Sequence, residues 1–73
     1  MDKQILVDIV TKKMPFGKYE GYYLSDLPVS YLEWFSRNGM PPGKLGMQLA
    51  TVLEIKSNGL TEILTKLKQE YRK

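Results

Sequence analysis

The chain has 73 residues, the length of one small domain, and 42% of them are hydrophobic. It contains neither cysteine nor histidine, which excludes a disulfide framework, a thiolate metal site and histidine-based catalysis. The formal net charge of +3 arises from basic segments at both ends, which flank a mildly acidic middle. No apolar run approaches the roughly 18 residues of a membrane span and no signal-peptide pattern is present, so we expect a cytoplasmic protein.

An apolar stripe predicts a first helix over residues 2–12. Apolar side chains recur at i and i+4, as in the pair Ile5 and Ile9, and such pairs share one face of a helix. Asp2 is the expected N-cap of this helix. The high content of β-branched side chains keeps a strand open as the alternative.

The next segment combines glycine, proline and aromatic residues. Met14-Pro15 ends the first helix, because a residue before proline is pushed towards extended geometry. Gly17 and Gly21, both flanked by aromatic residues, predict a β-hairpin or a hairpin-like loop over residues 16–24. Its strands would be very short.

A second helix is predicted to begin near residues 25–28. Proline is favoured in a first helical turn, and Asp26 is a candidate N-cap. Ser30 and Glu33 have the spacing of a capping box, which fits a later start. The Asn-Gly pair at 38–39 is typical of a helix end.

Two further helices complete the predicted elements. Residues 44–57 carry apolar side chains at helical spacing, and a second Asn-Gly pair at 58–59 ends that helix. Gly46 in its first turn costs helix stability, about 1 kcal/mol in an interior, so we expect close approach of a neighbouring backbone. Residues 60–71 follow the i, i+3, i+4, i+7 pattern, with Thr61 as the candidate cap.

These elements predict a mostly helical α+β fold, with about four short helices and a small β-hairpin between the first two. Residues 1–73 would form a single globular domain. The expected core combines aliphatic and aromatic side chains of the last three helices. Its members are Leu27, Tyr31, Trp34, Phe35, Leu45, Leu49, Val52, Leu53, Ile63, Leu64 and Leu67.

The sequence does not favour an enzyme. The remaining acids and bases are carboxylates such as Asp8 and Glu54, lysines and tyrosines, and no two carboxylates have a diagnostic spacing. The GKYEG segment at 17–21 lacks the spacing and the Lys-Ser/Thr pair of a phosphate loop, so a turn explains its glycines better. We therefore predict no catalytic residue, no metal site and no cofactor.

The aromatic and basic loop over residues 12–23 is the candidate working surface. Seven of the eight aromatic residues of the chain lie between positions 14 and 35. In a hairpin, Tyr22 and Tyr23 would lie on opposite faces, so one of them should be exposed. The other loop aromatics fit either the core or the surface. The candidate surface residues are Lys12, Lys13, Phe16, Lys18, Tyr19, Tyr22 and Tyr23.

Four segments of the chain resemble a known family of short bacterial proteins of unknown function, labelled "putative quorum-sensing-regulated virulence factor". They are Met14-Pro15-Phe16-Gly17-Lys18-Tyr19-x-Gly21, Leu27-Pro28-x-x-Tyr31-Leu32-x-Trp34-Phe35, Gly43-x-Leu45-Gly46 and Glu54-Ile55-Lys56-x-Asn58-Gly59-Leu60. Similar segments are appended to exonuclease-like proteins of the proofreading type, which implies a nucleic-acid-related accessory role. The family often has Lys in place of Glu20, so this loop is less basic than its pattern, and no catalytic residues carry over.

Two classes of partner stay open for the loop. Tyrosine and tryptophan dominate binding hot spots, which favours docking of a protein partner. Lysines beside aromatic rings also suit nucleic acid, with Lys12, Lys13 and Lys18 on phosphates and exposed tyrosines stacked on bases. We expect a non-enzymatic binding module, monomeric or weakly dimeric, without a membrane or small-molecule partner.

Overall fold

The computed structural model describes residues 3–72, so the predicted N-cap Asp2 lies outside the described residues. Four α-helices follow one another along the chain: α1 (Lys3–Thr11), α2 (Val29–Asn38), α3 (Lys44–Ser57) and α4 (Thr61–Tyr71). A single-turn 3-10 helix, Leu24–Asp26, lies between α1 and α2. None of these helices combines the length and the apolar character needed to cross a membrane.

The fold is all-helical, so the predicted α+β class with a β-hairpin is wrong. Over residues 3–72, extended pairing is limited to one antiparallel bridge between Lys13 and Tyr23. The loop does fold back on itself: the Met14 amide donates to the Tyr22 carbonyl at 2.7 Å, and the Gly21 amide donates to the Met14 carbonyl at 2.9 Å. The chain therefore reverses direction there without forming strands.

Consecutive turns use up the residues that a hairpin would need for its strands. Gly17 and Gly21 have φ values of +82° and +89°, which residues other than glycine rarely adopt. The Glu20 amide donates to the Gly17 carbonyl at 3.1 Å, and the Tyr22 amide donates to the Tyr19 carbonyl at 3.0 Å. Because residues 17–22 lie in these turns, each arm keeps only one paired residue.

The core is built from all four helices, the 3-10 helix, Met14 and Leu27. The buried apolar residues are Ile9, Val10, Met14, Leu24, Leu27, Leu32, Phe35, Leu49, Val52, Ile55 and Leu64. Four predicted core residues pack against them while partly buried: Tyr31, Leu45, Leu53 and Leu67. The first helix thus contributes more to the core than the sequence pattern indicated.

Two predicted core residues are wrong. Trp34 is 52% exposed and Ile63 is 39% exposed. Their neighbours in sequence, Phe35 and Leu64, are buried instead. An α-helix turns by about 100° per residue, so a side chain next to an inward-facing one lies at the edge of the buried face.

The sequence predicts the C-terminal ends of the helices better than their N-terminal ends. The Asn-Gly pairs do end α2 and α3: the Gly39 amide donates to the Phe35 carbonyl at 2.8 Å, and the Leu60 amide donates to the Ile55 carbonyl at 3.0 Å. These bonds satisfy carbonyls that a helix end leaves unpaired.

The predicted N-caps of α2 and α4 are wrong. Pro28 and Leu60 occupy the two N-cap positions, and neither has a side chain that caps the helix. Asp26 lies in the 3-10 helix, two residues before the N-cap position of α2. Because α2 begins directly after Pro28, Ser30 is already inside the helix and no capping box forms with Glu33.

Gly46 confirms the expected close approach of a backbone. It is buried in the first turn of α3, and a Cβ atom at this position would overlap the carbonyl oxygen of Pro41. Glycine therefore lets the connection over residues 39–43 pack directly on α3 and fixes how α2 leads into it.

Candidate binding groove

An open groove of about 530 Å³ lies between the loop and α2. Eight residues line it: Phe16, Gly17, Lys18, Tyr19, Ser30, Tyr31, Trp34 and Phe35. We refer to this surface as the aromatic groove. Phe35 is buried and forms the floor, whereas Phe16 and Trp34 are 44% and 52% exposed.

The Phe35 ring holds its neighbours edge-to-face. Its centroid lies 5.2 Å from that of Trp34 and 6.5 Å from that of Phe16, with interplanar angles of 81° and 75°. Tyr31 contacts it at 5.1 Å and 82°. Such pairs contribute about 0.5–1.5 kcal/mol each beyond the area they bury. Because Phe16 and Trp34 both stand nearly perpendicular to the floor, we describe them as the two walls of the groove.

The inner end of the groove is formed by two tyrosines and a glycine. Tyr19 contacts Tyr31 with 4.7 Å between ring centroids, and Tyr22 extends this row at 5.4 Å from Tyr19. A Cβ atom at Gly17 would lie 2.9 Å from the Tyr31 hydroxyl oxygen. A larger residue at position 17 would have to displace this hydroxyl group, and the φ of +82° also favours glycine there.

The charge of the groove is small and placed at one end. Among the eight lining residues, Lys18 carries the one ionised side chain. Its ammonium group lies 5.7 Å from the centroid of the Tyr19 ring, within range of a cation–π contact. Apart from Lys18, the groove presents aromatic rings, a glycine and the Ser30 hydroxyl.

Tyr23 lies in a different environment, covered by cations. The Arg72 guanidinium stacks on its ring at 3.6 Å, and the Lys13 ammonium lies 5.3 Å from the same centroid. Arg72 also donates from Nε to the Val10 carbonyl at 2.5 Å and from Nη2 to Ser25 Oγ at 3.0 Å. The C-terminal end of the chain is thereby tied to α1 and to the 3-10 helix.

Asp26 completes this second region. Its carboxylate accepts a hydrogen bond from Lys68 Nζ at 2.6 Å and lies 3.6 Å from an Arg72 nitrogen. Partial burial raises the pKa of Asp26, but the hydrogen bond from Lys68 and the charges of Lys68, Arg72 and Lys56 outweigh it, so the pKa falls below its ordinary value. We refer to Tyr23, Asp26, Lys68 and Arg72 as the Tyr23–Arg72 cluster.

Lys56 supports the same region from α3. Its ammonium donates to the Leu27 carbonyl at 2.7 Å. Burial and the nearby charge of Lys68 lower the pKa of Lys56, while Asp26 partly offsets them. Three cations thus converge on the 3-10 helix and the residue that follows it.

A second, smaller depression of about 150 Å³ lies between α1 and α3, and its lining includes both apolar and polar side chains. The Asp8 carboxylate accepts one hydrogen bond from Gln4 at 2.9 Å and one from Gln48 at 3.2 Å. In residues 3–72 no group of three or more acidic side chains is placed to hold a metal ion. We interpret this depression as a polar contact between two helices.

The structure divides the predicted surface residues between the two regions. Phe16, Lys18 and Tyr19 line the aromatic groove, whereas Lys13 and Tyr23 lie at the Tyr23–Arg72 cluster. The loop over residues 12–23 is therefore not one continuous surface.

The two remaining predicted residues flank these regions. Tyr22 is 53% exposed beside Tyr19, so it is the outward member of the Tyr22–Tyr23 pair. Lys12 is exposed, and its carbonyl accepts the Leu24 amide at 3.1 Å.

Sequence reasoning missed the contribution of α2 to the groove. Half of its lining comes from Ser30, Tyr31, Trp34 and Phe35, whereas the sequence pattern predicts the last three as core residues. Ser30 and Trp34 are spaced i and i+4, which was the available signal for a second, outward face. Arg72 gave no local signal, because 62 residues separate it from its Val10 partner.

Comparison with known proteins agrees with the sequence motifs. A family model described as "Putative quorum-sensing-regulated virulence factor" matches residues 2–67. The chain is 47% identical over 70 residues to "Uncharacterized protein YpeB" of Escherichia coli (strain K12), a match that covers 94% of this chain and 97% of that protein. The protein of the same name in Escherichia coli O157:H7 is similar to the same extent. No solved structure matches the chain.

Proposed function

We propose that this chain, which belongs to the family described as "Putative quorum-sensing-regulated virulence factor", is a non-enzymatic module that docks a segment of a partner protein in the aromatic groove. One observation carries the proposal. Trp34 and Phe16 remain about half exposed, although each of them packs edge-to-face against the buried ring of Phe35.

The free energy available from such a surface is large for its size. Burial of apolar surface contributes about 25 cal/mol per Å², and tryptophan and tyrosine are enriched among the residues that dominate binding. The walls of the groove are held by edge-to-face contacts with Phe35, so a ligand would order few side chains on binding.

The placement of the cations supports a protein partner over nucleic acid. Lys18 lies at the groove, whereas Lys13 and Arg72 cover the Tyr23 ring. The nucleic-acid alternative needs Lys12, Lys13 and Lys18 on phosphates together. With one phosphate contact, binding would weaken with salt by a log–log slope of only about −0.9.

We also propose that the module acts in the cytoplasm. Small secreted domains usually depend on disulfides, and this chain contains no cysteine. Its stability would instead come from the helical core and the Tyr23–Arg72 cluster.

A displayed library of random 12-residue peptides tests the docking function. Peptides are selected on the wild-type protein and then measured against Trp34→Ala and Met47→Ala. Met47 is the matched control, because it is 58% exposed and lies at the smaller depression. We expect peptides whose affinity falls at least about tenfold with Trp34→Ala and stays within about twofold with Met47→Ala.

Two results would contradict the proposal. One is a selection in which no peptide depends on Trp34. The other is saturable binding of a single- or double-stranded oligonucleotide that weakens steeply with salt and is lost when Lys12, Lys13 and Lys18 are replaced together, which would establish the nucleic-acid alternative.

A further inference from the structure

We infer that the partner segment is an extended, proline-containing peptide with an acidic residue that binds at Lys18. This inference rests on the docking function proposed above and specifies its ligand. It specifies the backbone conformation of the bound peptide and the sign of its charge.

The geometry of the walls favours an extended chain over a helix. The Phe16 and Trp34 centroids lie 6.5 Å and 5.2 Å from the Phe35 centroid. Even with the walls on opposite sides of the floor, the gap between ring surfaces is narrower than a helix with its side chains, about 10–12 Å across. An extended segment inserts one side chain at a time into such a gap.

Proline suits this gap for two reasons. Polyproline-II segments dock in grooves lined by aromatic side chains, where the flat pyrrolidine ring packs on an aromatic face. Their backbone is already ordered in the free state, which reduces the entropy lost on binding. Their carbonyls form no internal hydrogen bonds, and the groove lining offers the Ser30 hydroxyl and the Trp34 indole N–H as donors.

The charge of the lining selects an acidic peptide. Lys18 is exposed at the Tyr19 end, and the lining residues that the structure describes include no carboxylate. Aromatic cages that bind methylated ammonium groups would find a like charge here, so a cationic ligand is disfavoured. A carboxylate near Lys18 gains a charge-assisted hydrogen bond at the rim.

Trp34 provides the readout for a direct test, because it is the only tryptophan in the chain. Fluorescence titrations use synthetic 12-residue peptides of alternating proline and leucine with two glutamates at the C-terminus or at the N-terminus. Matched peptides carry lysines in place of the glutamates, or alanines in place of the prolines. We expect one acidic proline peptide to bind about fivefold more tightly than its lysine counterpart and at least about tenfold more tightly than its alanine counterpart.

A charge reversal in the protein makes the test specific. Lys18→Glu should exchange the preference, so that the lysine peptide binds more tightly than the acidic one. Lys66→Glu, at an exposed position on α4, is the matched control and should keep the preference of the wild-type protein. Both substitutions are exposed and leave the core intact.

The outcomes separate this inference from the docking function. If library peptides bind in a Trp34-dependent way but the acidic proline peptides bind no better than their controls, the inference is overturned and docking stands. If Lys18→Glu leaves the preference unchanged, the assignment of the acidic residue is wrong. If no peptide of either kind needs Trp34, the docking function itself fails. Self-association that Trp34→Ala abolishes would identify a second copy as the occupant and overturn the inference.

Discussion

The aromatic groove and the Tyr23–Arg72 cluster both include residues of the same loop, but they differ in how far their aromatic rings are exposed. In the groove, Phe16 and Trp34 pack on another ring and stay half exposed. In the cluster, Tyr23 is covered by Arg72 and Lys13, and Arg72 is held by further hydrogen bonds.

The difference indicates that a lysine beside an aromatic ring has two roles in this chain, one in stability and one in binding. At Tyr23 the cations complete the fold, because they connect the C-terminal end to α1 and the 3-10 helix. At Tyr19 the single cation, Lys18, lies at the end of an open surface. We therefore assign stability to one region and binding to the other, and substitutions can test that division.

The largest expected effect is a loss of stability of the whole fold, which would affect both regions together. Gly46→Ala would place a Cβ atom against the Pro41 carbonyl, and such overpacking of a buried site destabilises a protein by about 3 kcal/mol. Gly59→Ala is the control, since open space surrounds Gly59 and only its positive φ costs energy, about 1 kcal/mol. Urea unfolding followed by Trp34 fluorescence and circular dichroism measures both. Equal losses for the two variants would contradict the close approach.

The next substitution should separate stability from binding. Arg72→Ala removes the stack on Tyr23 and two hydrogen bonds from a charged donor, so we expect a loss of about 2 kcal/mol in the free energy of unfolding. The affinity for groove-binding peptides should not change. Arg37→Ala, at an exposed position on α2, should stay within about 0.5 kcal/mol of the wild type. The division of roles would be wrong if Arg72→Ala weakened peptide binding at temperatures where the variant is folded.

The converse substitution is in the groove wall. Phe16→Ala should weaken peptide binding about tenfold, because it removes one wall of the aromatic groove. It should reduce the free energy of unfolding by less than about 1 kcal/mol. Tyr22→Ala is the matched control, because Tyr22 is 53% exposed but does not line the groove. Fluorescence titration and urea unfolding give the two quantities. A loss of stability without a loss of affinity would reassign Phe16 to the fold.

The smallest effect concerns pH. The pKa of Asp26 in the folded protein lies below its ordinary value of 3.8. The ionised carboxylate therefore stabilises the fold fully at pH values above the pKa that Asp26 has in the unfolded chain. This contribution is lost as the pH falls through the folded-state pKa. Since the ion pair with Lys68 is partly exposed, we expect a loss of less than about 1 kcal/mol.

Comparison with Asp26→Asn isolates this contribution. The difference in unfolding free energy between the wild type and Asp26→Asn should shrink below about pH 4 and stay constant above pH 5. A constant difference down to pH 2 would contradict the role of the carboxylate.

Features set by short-range contacts were predictable from the sequence. The Asn-Gly pairs end α2 and α3 as expected, because a helix end depends on hydrogen bonds within five residues. The need for close backbone approach at Gly46 was also visible, since glycine in a helix otherwise only costs stability.

Features set by distant contacts were not predictable in the same way. The aromatic residues of α2 had the spacing of a core face, and only the packing of Leu32 and Phe35 leaves Trp34 outward. The stack of Arg72 on Tyr23 joins the C-terminal end of the described chain to the loop that precedes the 3-10 helix. The loop turned at its glycines as expected, but the turns at 17–22 left too few residues for a hairpin.

The most direct test of the division between the two regions is a map of NMR chemical-shift changes with a Trp34-dependent peptide. We predict saturable shifts at the Trp34 indole N–H and at the amides of Lys18 and Ser30, with no comparable change at Ser25 or Arg72. Shifts centred on Lys13, Tyr23 and Arg72 would instead place binding at the cluster, and would contradict the assignment of the aromatic groove as the docking surface.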